Sequence, residues 1–332
     1  MNRATRRSGR LDPLFERFKE AEALAARSGE TGRLDAIYSF LVQYHWAKGE
    51  QEQALEYGRR CIDTGQTRND LGLQVTGLFY LAHACEALGR FPRVLEHAQG
   101  IIGLLAGARE TERFGLSGLP YCGACALAAD SLIELGDFHG ALEWIERGER
   151  VAEAAGHLYS RTPLAIARGR LLLERDQVAD AIAGLEPAVA TCREKNFVGQ
   201  LMRALTPLGH AYAREGRATE GIPLLKEAIS LQEKASAFVH RGHWIHTLAV
   251  IYLHDGRLEE AQATALDALG FAERHGERAV EGRIRYTLGE IALRRGERAT
   301  AEQFFDEAQE IAEELGMRPL LEQCRARLLA LR

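Results

Sequence analysis

The stretch Leu208-Gly209-His210-Ala211-Tyr212, followed by Gly216-Arg217 and then by Gly221-x-x-x-Leu225-x-x-Ala228, decides the fold. Its apolar residues recur at helical spacing on both sides of a glycine turn, so two helical stripes face each other across Gly216. Gly209 lies inside the first stripe, where glycine costs about 1 kcal/mol relative to alanine. A helix tolerates that loss where a neighbouring helix comes too close for a Cβ. Residues 204–235 therefore read as one helix-turn-helix unit whose tight seam is made of small side chains.

The same punctuation runs through the chain. Glycine followed by a polar residue falls at Gly9, Gly49, Gly89, Gly136, Gly216, Gly256 and Gly296, with Asp176-Gln177 at the missing step. The steps are 40 residues, with one of 47 between Gly89 and Gly136. Five residues after each mark stands a mostly small side chain (Ala54, Ala141, Ala181, Gly221, Ala261, Ala301), and twelve after it another (Cys61, Gly148, Ala188, Ala228, Ala268, Ala308). Seven before it come Val42, Ala82, Ala129, Gly169, Gly209, Ala249 and Gly289. These columns resemble the small positions of tetratricopeptide repeats, although the period exceeds the roughly 34 residues of the common form; longer helices would account for the difference.

The expected fold is all-α: a right-handed solenoid of about seven such hairpins with a half repeat at each end. The pairs are 32–65, 71–106, 120–156, 159–196, 198–235, 238–276 and 278–316. Residues 1–10 are expected to be a disordered basic tail and 11–332 a single superhelical domain with an insertion at 107–120. Because the chain begins and ends out of phase with its own repeat, it is expected to belong to, or descend from, a longer array.

Composition limits the function. The chain has 332 residues, a net charge of −5 and six scattered cysteines; its mean hydropathy is −0.22 and its isoelectric point about 6.2. A nucleic-acid partner is not indicated, no apolar run suits a membrane span, and the cysteines form no disulfide framework, which favours a reducing cytoplasm. Neither a phosphate-binding glycine loop nor a nucleophile–base pair stands out. Cys122-Gly123-Ala124-Cys125 lacks a second pair and reads as small buried residues of a seam. Trp46, Trp144 and Trp244 are expected to pack between repeats.

In such arrays the first helix of each pair lines the concave face. Its free stripe, at 13, 10 and 6 residues before each mark, shares one helical face. It contains Phe79, His83, Asp130, Arg170, Arg203, His210, His243, His246, Arg283, Tyr286 and Glu290. The cluster of arginine and histidine predicts a basic groove for an anionic partner. The insertion reads as a longer inter-repeat loop, a helix extension or a flexible joint; the sharper alternative is a flap over the concave face through Arg113 and Phe114. In His240-x-x-His243-x-x-His246, His243 and His246 share a face, but metal sites on helices favour i, i+4 spacing. A polar, pH-sensitive groove lining is the better reading, and no metal, cofactor or catalytic residue is assigned.

The chain also resembles the C-terminal repeat arrays of bacterial signalling proteins that combine a class III nucleotide cyclase with a regulatory ATPase module. The phrases Glu112-Arg113-Phe114-Gly115-Leu116-x-Gly118-Leu119-Pro120 and Ala312-Glu313-Glu314-Leu315-Gly316-Met317-Arg318-Pro319-Leu320 carry that resemblance. It implies a non-catalytic scaffold or sensor that holds a peptide, a partner protein or a small anionic effector in its groove. The alternatives are a stand-alone receptor for short signalling peptides, similar to bacterial pheromone-binding repeat proteins, and, more remotely, a metal-dependent enzyme using His243 and His246. Exposed end helices would allow copies of the chain to pair.

Overall fold

The computed structural model describes residues 11–28, 34–235 and 237–331; the basic tail expected at 1–10 lies outside them. Sixteen helices follow one another: α1 (Leu11–Ser28), α2 (Leu34–Lys48), α3 (Gln51–Arg68), α4 (Leu71–Ala87), α5 (Phe91–Leu105), α6 (Pro120–Glu134), α7 (Phe138–Ala154), α8 (Leu158–Glu174), α9 (Val178–Glu194), α10 (Val198–Arg214), α11 (Ala218–Ala235), α12 (Arg241–His254), α13 (Leu258–His275), α14 (Arg278–Arg294), α15 (Arg298–Leu315) and α16 (Arg318–Leu331). The described residues contain no strand. Helices α2 to α15 form seven hairpins, flanked by α1 and α16.

Each turn inside a hairpin is built the same way. Gly49, Gly89, Gly136, Gly216, Gly256 and Gly296 all take φ between 72° and 81°. A left-handed residue there ends the first helix, and the next N–H reaches back five residues, as from Arg217 to the Tyr212 carbonyl at 2.8 Å. Asp176, which replaces glycine at the missing step, adopts φ 59°. Aspartate tolerates that conformation better than most side chains, so the periodic pattern and the backbone agree where the residue type departs.

The small columns are the seams. A Cβ on Gly221 would stand 2.5 Å from the Gly209 carbonyl oxygen, and one on Gly209 would stand 2.3 Å from Leu225. Gly289 abuts Phe305, and Gly148 abuts Cys125 and Leu164, equally closely. Large side chains opposite these small ones, among them Leu164, Leu185, Leu205 and Phe305, are fully buried. Cys122 and Cys125 are buried as well. Desolvation pushes the Cys122 thiol up to about 12, so it is an inert packing residue.

The solenoid closes on itself. Phe238, ahead of α12, donates its N–H to the Ala47 carbonyl at 2.7 Å, which seats the α11–α12 turn on the α2–α3 turn. Phe91, at the start of α5, is buried in one cluster with Ala279, Ala308, Ala312, Met317 and Leu320 from α14 to α16. Arg318 donates to the Leu135 carbonyl at 2.5 Å, a contact between residues 183 apart. Turns within the first three hairpins therefore rest on turns between hairpins four to five units later, and the first helices line an enclosed interior.

Candidate functional site

Two connected regions occupy that interior. The first is an apolar cavity of about 350 Å³. Its walls include Phe79 and Tyr80 from α4, Tyr159 from α8, Met202 and Arg203 from α10, and Trp244 from α12. Gly123 of α6 makes room for Phe79, because a Cβ there would meet the ring at 2.6 Å. Trp46, Trp144 and Trp244 all pack into clusters shared between repeats, as expected, and Trp46 and Trp244 also face the cavity. Residues 116–120 of the insertion complete the wall. Phe114 takes φ 50° and lies against the start of α4 beside Gly72, whereas Arg113 is exposed and is not among the cavity-lining residues. The insertion thus borders the cavity through Leu116, Ser117, Gly118 and Leu119, with Phe114 as its anchor.

The second region is a buried ionic cluster. Arg170 on α8 pairs with Asp130 at 2.7 Å and Glu134 at 2.8 Å, both on α6. Arg283 on α14 reaches the other Glu134 oxygen at 2.7 Å and Glu174 at 3.8 Å. Arg203 stands 3.6 Å from Asp130. The Arg170–Asp130 approach is poorly angled for a hydrogen bond, so both Asp130 oxygens lack a donor; burial raises the Asp130 pKa, with Arg170 opposing. Three arginines of the stripe are therefore ion-paired, and the inner wall carries charge of both signs.

Sequence reading missed Glu86, Glu134 and Glu174. They stand two or three residues before the glycine marks, one helical turn beyond the stripe, and extending the same spacing would have found them. The histidines also differ from expectation. Burial lowers His210 and His246 to about 3 and His240 to about 4, and His243 moves in the same direction. All four are neutral at physiological pH, so they do not make the groove sensitive near pH 7. His246 is occupied with Thr287 at 2.9 Å, and the His210 ring lies 6.1 Å from that of His254. His243 lines the ionic region with Arg170 and Arg283, so His243 and His246 do not converge as a metal pair. Tyr286 packs on Phe305 at 5.4 Å, and Glu290 is tied to Arg327 of α16 at 2.6 Å. Of the stripe, Phe79, His83 and Arg203 face the cavity, while Asp130, Arg170, His243 and Arg283 gather beside it.

No helix among the described residues is long and apolar enough to cross a membrane. No family model matches the sequence, and neither does any curated protein. Among solved structures, the chain is similar to a Rap protein complexed with Competence and Sporulation Factor. The identity is 13%, with 99% of this chain and 97% of that one covered and a TM-score of 0.59. It is also similar to the Rap conjugation gene regulator of plasmid pLS20 in complex with the Phr* peptide, at 12% identity, 85% and 74% coverage and a TM-score of 0.67. A third is PH0952 from Pyrococcus horikoshii, a signal-transduction ATPase with a tetratricopeptide repeat sensor. There the identity is 13%, with 96% of this chain and 49% of that one covered and a TM-score of 0.52. At these identities the likeness establishes the fold, an all-α solenoid of tetratricopeptide type.

Proposed function

We propose that the chain is a non-catalytic receptor that holds a peptide, or a peptide segment of a partner protein, inside the closed solenoid. The observation that carries this reading is the aromatic cavity of about 350 Å³ opening beside a paired ionic cluster. Preformed concave sites with an apolar lining and a few polar groups are the usual form of a ligand pocket. An apolar or aromatic ligand side chain would sit between Phe79, Met202 and Trp244, with the ionic region aligning the adjoining backbone. The likeness to two Rap structures, one carrying the Phr* peptide, supports the reading. Because Arg170, Arg203 and Arg283 face carboxylates, net charge gives no reason to require an acidic ligand.

A second setting for the same groove is the sensor part of a longer cytoplasmic signalling protein, supported by the likeness to the PH0952 repeat array. The six cysteines are buried and form no disulfide among the described residues, which is consistent with a reducing compartment. Leu24 on α1 and Leu329 on α16 are exposed and offer end faces through which copies could pair.

The test uses Trp46 and Trp244 as reporters. Titration with an oligopeptide library should change intrinsic tryptophan fluorescence saturably. Gly199 borders the cavity and has no neighbour within 4 Å of an added Cβ, so Gly199→Trp should plug the mouth, weaken binding at least about tenfold and leave helicity unchanged. Undiminished binding in that variant would place the ligand elsewhere.

A further inference from the structure

At the border between cavity and ionic cluster, three ligating side chains meet across the closure of the solenoid. His83 and Glu86 stand three apart on α4, hence on one helical face; His240 comes from the α11–α12 turn. The Glu86 Oε2 lies 3.8 Å from His83 Nδ1 and 4.0 Å from His240 Nε2. All three ligating atoms fall within 4.8 Å of one another.

Each of these atoms is buried without a hydrogen-bond partner, and His83 as a residue is only 6% exposed. A buried polar atom left unpaired is costly, so three aimed at one point call for an occupant. The charges agree. Arg170, Arg203 and Arg283 are directed at Asp130, Glu134 and Glu174, while no guanidinium of the described residues lies within ion-pair distance of Glu86.

We infer that His83, Glu86 and His240 form a binding site for one divalent transition-metal ion of the zinc class, which clips α4 to the α11–α12 turn. Two imidazoles and a carboxylate are a borderline-soft donor set suited to such ions. Tetrahedral ligands about 2.1 Å from zinc stand about 3.4 Å apart, so side-chain movements of about an ångström close the site. His83 and His240 also line the cavity, which leaves the remaining coordination position facing the chamber.

The test is independent of any peptide. Tag-free protein stripped with chelator is titrated with Zn²⁺ by calorimetry and with Co²⁺ by visible absorption. One ion per chain should bind, with the intense ligand-field bands of a low-coordinate site, and Zn²⁺ should raise the melting temperature. His83→Ala with His240→Ala should abolish binding. Glu86→Gln, which keeps the side chain's volume, should weaken it at least about tenfold and provides the reading if the double variant fails to fold. His139→Ala, at an exposed histidine, should change nothing. Absence of saturable binding near one equivalent, or undiminished affinity in Glu86→Gln, would overturn the assignment.

Discussion

Alanine at Gly221 would place a Cβ 2.5 Å from the carbonyl oxygen of Gly209, 3.3 Å from its carbonyl carbon and 3.4 Å from its Cα. All three are backbone atoms of α10, so no rotamer change relieves the contact. Carbon and carbonyl oxygen ordinarily meet at about 3.3–3.6 Å, so α10 and α11 must part by about 1 Å. Parting them also loosens Leu225, which is fully buried against Gly209. Overfilling of this kind costs about 1–3 kcal/mol, and alanine's better helix propensity offsets about 1 kcal/mol of it. The net expectation is a loss of about 1 kcal/mol, rising toward about 2 if the seam is rigid. Gly184 in α9 is the internal control, because a Cβ there meets nothing within 4 Å; alanine should stabilise it by up to about 1 kcal/mol. Urea unfolding followed by far-UV circular dichroism reads both. The midpoint should fall for Gly221→Ala and rise for Gly184→Ala, with similar slopes. A midpoint for Gly221→Ala at or above that of the parent would refute the seam argument.

Two further outcomes follow from the interior. Glu134→Gln removes the charge shared by Arg170 and Arg283; breaking such a pair should cost at most about 3 kcal/mol, because the Arg283 side chain keeps 23% of its exposure. Small-angle scattering should show a larger radius of gyration, and an unchanged radius and melting temperature would count against the pair as a closure element. Glu277, buried at the start of α14, has its carboxyl pushed up to about 8 by desolvation, against a hydrogen bond from Gly242. Its folded pKa exceeds the unfolded value near 4.3, so its stabilising protonation is fully present below about pH 4 and is lost as pH rises through about 8. Glu277→Gln should be neutral near pH 4 and raise stability by several kcal/mol near pH 9; melting curves across that range that parallel the parent's would contradict the assignment.

The hairpins were legible because each seam is local and repeated. One column of small residues, such as Gly169, Gly209 and Gly289, states the same packing rule many times, and even Asp176 could be placed by phase alone. The inner stripe was legible as a face but not as a charge. Arg170, Arg203 and Arg283 are visible at fixed spacing, whereas their partners Glu134 and Glu174 lie one turn further along. The pairing of Arg283 with Glu134 joins residues 149 apart, a distance over which no periodicity speaks. The metal-ligating trio was hidden for the same reason: His83 belongs to α4, and His240, outside the first-helix register, meets it only through closure. Trp46 and Trp244 read as packing residues because the cavity exists only where separate hairpins curve toward one point.

The self-contact of the solenoid has a consequence for its length. An open array can gain or lose a unit at modest cost, since each unit touches only its neighbours. Here, removing one forty-residue hairpin between α6 and α14 would rotate every later turn out of its seat, separating Glu134 from Arg283 and Leu135 from Arg318 together. The number of hairpins is therefore as tightly specified as the residues at a globular core. Final docking of the two rims, which must wait for contacts between the most distant parts of the chain, is expected to be the slow step of folding.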